Sequence, residues 1–207
     1  MIETIRVLLV DDAPDLASVA AELLAREDDR LDVATETNPS AVVDRIEVEP
    51  VDCLVCDYGM PGMDGLDVLR AVRERWPDLP FVLFTGKGSE EIASEAISAG
   101  ATDYVRKGTA VDSYALLANR VTQAVAKRRS SRRAARLEAL RDLGRDVNGA
   151  LVRADDRADA ERAVCDRLVA TEPYTVAWIG SVDVADGSTT VRTAVGDPVA
   201  AVDHARE

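Results

Sequence analysis

The first 130 residues repeat one pattern: a short apolar run, then a segment whose apolar residues recur every three or four positions. The runs are IRVLLV (Ile5–Val10), LDVATE (Leu31–Glu36), CLVC (Cys53–Cys56), PFVLFT (Pro80–Thr85) and DYVRK (Asp103–Lys107). A strand covered on both faces has no solvent side to alternate with, so unbroken runs such as IRVLLV and CLVC predict buried parallel strands. The first intervening helix is expected over Pro14–Arg26, with Leu16, Val19, Ala20, Leu23 and Leu24 on one face. Asn38-Pro39-Ser40 reads as the entry to a second, carrying Ala41, Val42, Val43 and Ile46. A third spans Gly65–Trp76, with Leu66, Leu69, Val72 and Trp76 in register and Pro77 ending it. A fourth runs from about Glu90 to Ala99 and stops at Gly100. The fifth starts near Val111, capped by Asp112 or Thr109. Five strand–helix units predict an α/β fold, a doubly wound parallel sheet with helices on both faces. No function can be deduced from that architecture alone.

The fifth helix has no evident stop. From Ser113 to about Val152 there is no proline, and Leu137, Leu140, Leu143 or Gly144, Val147 and Leu151 are spaced three and four apart. That single apolar stripe predicts a linker helix, able to form a coiled coil with a second copy. A lone solvated helix docked on its own domain is the alternative. Within it, KRRSSRRAAR (Lys127–Arg136) is the one strongly basic stretch. It lacks aromatic partners, zinc ligands and a helix-turn-helix pattern, so it reads as a solvated face or a patch for the acidic body. After Gly149 the character changes. DDRADAERAVCDRLV predicts an amphipathic helix with Ala160, Val164, Leu168 and Val169 on its apolar side. YTVAWIGSVD and STTVRTAVG predict two strands joined through Ala185-Asp186-Gly187. A helix and two strands bury little surface, so this segment reads as the opening of a second α+β domain. The chain thus divides into residues 1–125, a helical linker over 126–153, and a partial domain over 154–207.

Charge and cysteine content narrow the function classes. The net charge of −13 argues against nonspecific nucleic-acid binding by the chain as a whole. Asp outnumbers Glu and Arg outnumbers Lys. That bias suits a high-salt cytoplasm, where a carboxylated surface stays hydrated and its self-repulsion is screened, although a GC-rich genome would push usage the same way. No apolar run approaches the roughly 20 residues that span a bilayer. The opening MIETIRVLLVDD is acidic at once and too short in its apolar part for a signal peptide. A soluble cytoplasmic protein with no membrane partner is expected. Cys53 and Cys56 have CxxC spacing, but side chains three apart on a strand point to opposite faces, so both read as core residues, as does Cys165.

The chemistry concentrates at the carboxyl ends of the predicted strands. Asp11 and Asp12 follow the first, Asp57 the third, Thr85 ends the fourth, and Lys107 ends the fifth. Ligands of open α/β sheets bind beyond those ends, where the strand order reverses. With the order 2-1-3-4-5, Asp11, Asp12 and Asp57 converge. Three close carboxylates repel unless a cation intervenes. Mg²⁺ is the natural choice, since it binds through one or two carboxylates and keeps its waters. Asp57 would then attack a phosphoryl group as a carboxylate nucleophile. Lys107 and the cation would offset charge on the transferred oxygens, and Thr85 would bond one of them.

The spacing VDD, CDYGMPGMDG, FTG, DYVRKG resembles the receiver domain of two-component response regulators over about residues 4–125. The resemblance implies a flavodoxin-like (βα)5 fold and no enzymatic turnover beyond self-phosphorylation and autodephosphorylation. It implies that Asp57 is the phosphoacceptor and that Asp12 and Asp57 ligate Mg²⁺ directly. Asp11 would contribute through water and Gly59 through its carbonyl. Thr85 and Lys107 resemble the phosphate-responsive pair, and Tyr104 the aromatic that turns inward when the threonine moves. The implied partner is a histidine kinase or phosphotransfer protein, with a shift in the face made by the fourth helix, fifth strand and fifth helix and with homodimers through that face and the linker helix. One departure is plain: the family usually has proline after the lysine, and here Gly108 stands in that place. Residues 155–200, including AERAVCDRLVATEPYTVAWIGSVD, resemble the beginning of a GAF sensory domain of the haloarchaeal kind.

Two other functions fit parts of the pattern. A phosphatase with an aspartyl nucleophile would need a second acid two residues on, where Gly59 stands. A dimerising module without phosphorylation would not need all five site residues. No DNA-recognition element is present, and the one histidine, His204, offers little to a kinase.

Overall fold

The computed structural model describes residues 3–86, 90–108, 112–171 and 174–196. They divide into two compact units, residues 1–132 and 133–207. In the first, β1 (Ile5–Val10), β2 (Leu31–Glu36), β3 (Cys53–Cys56), β4 (Phe81–Thr85) and β5 (Asp103–Arg106) form one sheet in the order β2-β1-β3-β4-β5. All four pairings are parallel. This is the expected doubly wound sheet, with β1 and β3 side by side where the order reverses.

The helices of this unit are α1 (Pro14–Glu27), α2 (Val42–Val48), α3 (Gly65–Arg75), α4 (Glu90–Ser98) and α5 (Asp112–Arg153), with a 3₁₀ turn at Pro39–Ala41 leading into α2. Local chemistry sets their ends. Asn38 accepts from the Ser40 N–H at 3.2 Å and opens the 3₁₀ turn. Asp64 caps α3, accepting from the Leu66 and Asp67 N–H groups at 2.9 Å each, while the Asp67 carboxylate reaches back to the Asp64 N–H. Gly100, at φ +95°, comes after α4 in the left-handed region that glycine enters without strain. Arg73 of α3 secures that turn, donating to the carbonyls of Gly100, Trp76 and Leu79 at 2.9, 3.2 and 2.7 Å. Thr109 and Val111, the expected start of the fifth helix, lie outside the described residues, as does His204.

The sheet separates two apolar cores. One contains Val7, Leu9, Cys53, Val55 and Phe84 with Ala17, Ala20, Leu24, Leu117 and Val121. The other contains Leu8, Val10, Leu54, Cys56, Phe81 and Leu83 with Leu66, Leu69, Val72 and Ala96. Neighbours in the chain alternate between the two, which is why VLLV of β1, CLVC of β3 and FVLF of β4 are apolar throughout. Cys53 and Cys56 fall in different cores, as their spacing requires, and burial holds both thiols well above the usual range.

The face of α1 differs from the expected one. Ala17, Ala20 and Leu24 are buried, whereas Leu16 and Val19 are 61% and 54% exposed. Counting apolar residues finds the centre of a wide stripe only roughly; the close packing of α1 on the sheet puts the small Ala17 at the contact.

Part of the basic run serves its own unit. Arg129 pairs with Glu3 at 3.2 Å and Asp52 at 3.4 Å, and donates to the Thr4 carbonyl at 3.0 Å. Asp52 also accepts from the Arg6 N–H.

The second unit holds the end of α5, then α6 (Arg157–Val169) and the antiparallel pair β6 (Val176–Val182) and β7 (Thr189–Gly196). Asp156 caps α6 through the Asp159 N–H at 2.9 Å. Gly187, at φ +74°, makes the turn between the strands, and its N–H bonds the Asp183 carbonyl at 2.8 Å. Ala177, Ile179, Thr193 and Val195 lie on the face of the ribbon that is partly covered, and Arg192 locks it to α6 through Glu161 at 2.8 Å. Trp178, Val182 and Val191 point from the other face and are exposed. Among the described residues of this unit, only Ala150 and Cys165 are buried apolar side chains.

Candidate functional site

The apolar strands end together, and the polar residues at their carboxyl ends form the site. The Asp57 N–H bonds the Val10 carbonyl at 2.8 Å, and the Asp11 N–H bonds the Glu36 carbonyl at 3.1 Å, so both aspartates leave the sheet on fixed backbone. The Lys107 N–H likewise bonds the Thr85 carbonyl at 2.9 Å. Lys107 Nζ then lies 2.6 Å from Asp11 Oδ2 and 2.8 Å from Asp57 Oδ1. Residues far apart in the chain thus share one ammonium. Burial opposes the charge on Lys107 most strongly, but its bonds to Asp11 and Asp57 outweigh that penalty and raise its pKa above the ordinary value. The Phe84 ring lies beneath the same ammonium, 5.7 Å away.

The other expected residues surround this pairing. The Asp11 side chain is 6% exposed and accepts from the Ala13 N–H at 3.1 Å. Asp12 is exposed. Thr85 is buried at the end of β4. Tyr104 packs against the core under α4, and its hydroxyl is buried without a partner among the described residues. Gly59 presents its N–H to Asp57 Oδ2 at 2.8 Å, a contact its expected role as a carbonyl donor did not include. Among the described residues no three or more His, Cys, Asp or Glu side chains gather as a metal-ligating set. Asp11 and Asp57 close on Lys107 instead.

Gly65 is a requirement that the sequence showed only as one glycine among several. A Cβ there would sit 2.4 Å from the Asp57 carbonyl oxygen and 2.8 Å from Leu83 Cδ1. The Gly65 N–H bonds the Tyr58 carbonyl at 3.0 Å, closing the loop that Asp57 opens. The start of α3 therefore presses directly on the Asp57 backbone, and only glycine leaves room. Gly62, at φ +80°, supplies the turn between them.

A sheet of this order, with carboxylates and one lysine at its carboxyl edge, makes the first 132 residues a flavodoxin-like α/β unit. Residues 7–118 match the response regulator receiver domain family, and the chain belongs to it. It is 33% identical over 132 residues to the C4-dicarboxylate transport transcriptional regulatory protein DctD of Rhizobium meliloti, covering 62% of this chain and 28% of that one. It is 32% identical over 127 residues to a protein-glutamate methylesterase/protein-glutamine glutaminase of Nocardioides, covering 60% of this chain and 34% of the relative. The chain therefore spans well under two thirds of the length of the curated relatives it matches. The crystal structure of a CheY-like response regulator receiver domain protein from Methanospirillum hungatei shares the fold, with a TM-score of 0.55 at 21% identity over 62% of this chain and 99% of that one.

Proposed function

We propose that the protein is a phospho-accepting response regulator, in which Asp57 takes a phosphoryl group from a histidine kinase or phosphotransfer protein. The observation that carries this reading is the single ammonium of Lys107 held between Asp11 and Asp57. In the transfer an Asp57 carboxylate oxygen forms the new O–P bond. The N–P bond of the donor phosphohistidine breaks, and its electron pair returns to the imidazole. Asp57 needs no base, because it attacks as a carboxylate and has no proton to lose. Lys107 exchanges its contact with Asp57 Oδ1 for the incoming phosphoryl oxygens while keeping Asp11. The Gly59 N–H holds Oδ2 in place as the acceptor is approached. The Thr85 hydroxyl then bonds a phosphoryl oxygen, and Tyr104, whose inward hydroxyl has no partner among the described residues, keeps its inward position as that happens.

Although the site's carboxylates are not gathered as a ligating set among the described residues, their chemistry suits a divalent cation. Asp11, Asp12 and Asp57 carry three negative charges against the one positive charge of Lys107, and all offered atoms are hard oxygens. Asp12, Asp57 and the Gly59 carbonyl would hold Mg²⁺ directly, with Asp11 through water. When bound, it supplies charge neutralisation for the phosphoryl oxygens. The donor protein docks over α1, whose exposed Leu16 and Val19 lie a few residues beyond Asp11 and Asp12.

The switch passes to the face of α4, β5 and α5, where Ile97 and Leu116 are exposed and Arg120 pairs with Asp103 at 3.3 Å. Homodimers form through this face and through the later part of α5. The segment after residue 154 is the start of a GAF-like sensory domain, and the host is a salt-adapted organism with the protein in its cytoplasm. The protein has no turnover of its own beyond phosphoryl gain and loss.

Incubation with a small phosphodonor such as acetyl phosphate in Mg²⁺ tests the assignment. Wild-type protein gains one acyl phosphate, and Asp57→Asn gains none while keeping its circular dichroism. Labelling of Asp57→Asn at the wild-type level sinks the reading.

A further inference from the structure

Position 84 lies in the core shared with α1 and α5, and burial alone asks only for an apolar side chain there. Phe84 is 2% exposed, and an aliphatic residue of similar size would fill the same space. The chain has only two phenylalanines, and one of them stands here. What a ring adds to bulk is a face of negative potential, which attracts a cation without prescribing the direction of any one N–H. Lys107 Nζ lies 5.7 Å from the ring centroid, within the range of that attraction.

Lysine carries its charge on a flexible four-carbon stem, so its ammonium needs holding if it is to act at one place. Asp11 and Asp57 hold it at 2.6 and 2.8 Å. When the contact with Asp57 is exchanged for phosphoryl oxygens, Asp11 and the Phe84 ring are the contacts that persist. The ring is itself held. Phe84 and Tyr114 form a T-shaped pair, with centroids 5.4 Å apart and planes at 68°. Tyr114 sits in the first turn of α5 and packs on the same core as Leu117, Ala118 and Val121 of that helix. Tyr104 packs on the core across the sheet, so the contacts running from Lys107 through Phe84 to α5 are separate from those around Tyr104.

We propose that Phe84 is a positioning residue for phosphoryl transfer: its ring face holds the Lys107 ammonium as it passes from Asp57 to the phosphoryl oxygens, and Tyr114 of α5 fixes the ring. This rests on the reading of Asp57 as the phosphoacceptor and names what steadies Lys107 beside it. In the full-length protein, site-specific replacement of Phe84 by a trifluorinated phenylalanine keeps the ring's shape and withdraws charge from its face. The initial rate of labelling by acetyl phosphate in saturating Mg²⁺ is expected to fall several-fold, while the same replacement at Phe81, in the other core, leaves it unchanged. Phe84→Leu gives a similar fall. Tyr114→Leu lowers the rate less, and Tyr114→Phe, which keeps the ring pair, rescues it. A wild-type rate in the protein fluorinated at Phe84 overturns the proposal and leaves that ring as core filling alone. A wild-type rate in Tyr114→Leu overturns the part assigned to Tyr114. The ε-CH₂ protons of Lys107 read the contact without any phosphodonor: the ring current moves their NMR signal upfield, and Phe84→Leu returns it to the ordinary lysine position. An ordinary signal in the wild-type protein also overturns the proposal. Wild-type protein that takes no label defeats the phosphoacceptor reading instead, and the upfield signal then still reports whether Phe84 holds Lys107.

Discussion

The two units are built from similar side chains and bury them very differently. In residues 3–132 each central strand contributes to a core on both sides of a five-stranded sheet, so Leu54, Cys56, Phe81, Val82 and Leu83 are completely buried. In residues 133–196 two strands and one helix cover a single face, and Trp178, Val182 and Val191 on the other remain exposed. Valine and tryptophan are equally apolar in both places. What differs is the number of layers, since a two-stranded ribbon offers one helix a surface and nothing to cover its back.

Substitutions that sharpen this contrast run from large to small. Phe81→Ala removes a fully buried ring from the core under α3 and α4. It should destabilise the first unit by about 3–5 kcal/mol, read by denaturant unfolding through Trp76, which packs on that core. Gly65→Ala forces a Cβ against the Asp57 carbonyl. The expected loss is about 1–3 kcal/mol, with slower labelling by a phosphodonor because the Asp57 backbone shifts; a stable variant with normal labelling would show that the loop yields freely. In the second unit, Trp178→Ala should change stability by about 0.5 kcal/mol or less, because the ring already faces solvent. A larger loss would reveal a covering partner and break the comparison.

Lys107 tests the site rather than the core. Its pKa is raised in the folded chain, so its pairing stabilises fully below the ordinary lysine value and is lost as pH rises through the raised one. In metal-free buffer, Lys107→Gln should therefore be less stable than wild type at neutral pH, with the difference shrinking only in strongly alkaline solution. A difference that instead closed between about pH 5 and 8 would point to another titrating group.

Much of the receiver was legible because its strands are covered on both sides. Such burial makes VLLV, CLVC and FVLF apolar throughout, and candidate residues at the ends of these strands then stand out as the first polar ones. Asp11, Asp57 and Thr85 were singled out as candidates in that way and Lys107 by its place after the fifth strand, and the structure brings Lys107 between Asp11 and Asp57. Gly65 was harder to single out, because its constraint comes from the Asp57 carbonyl and Leu83 Cδ1 across the loop. The Gly59 N–H contact with Asp57 was invisible for a related reason, since every residue but proline offers the same donor. In α1, periodicity indicated an apolar face but included Leu16 and Val19, which the fold leaves outside. On α5 the spacing of Leu137 through Leu151 suggested one stripe, where the structure divides it into a covered face and an exposed one.

By itself, then, the sequence determined the five strand–helix units, the separation of Cys53 from Cys56, and the residues that end each strand, because these depend on side-chain period and local backbone chemistry. Only the tertiary structure decided that Lys107 spans Asp11 and Asp57 and that Gly65 has no room for a methyl group. The same holds for the opposite fates of Leu16 and Ala17. Those outcomes depend on distances between segments remote in the chain, and such distances exist only once the sheet has chosen its order.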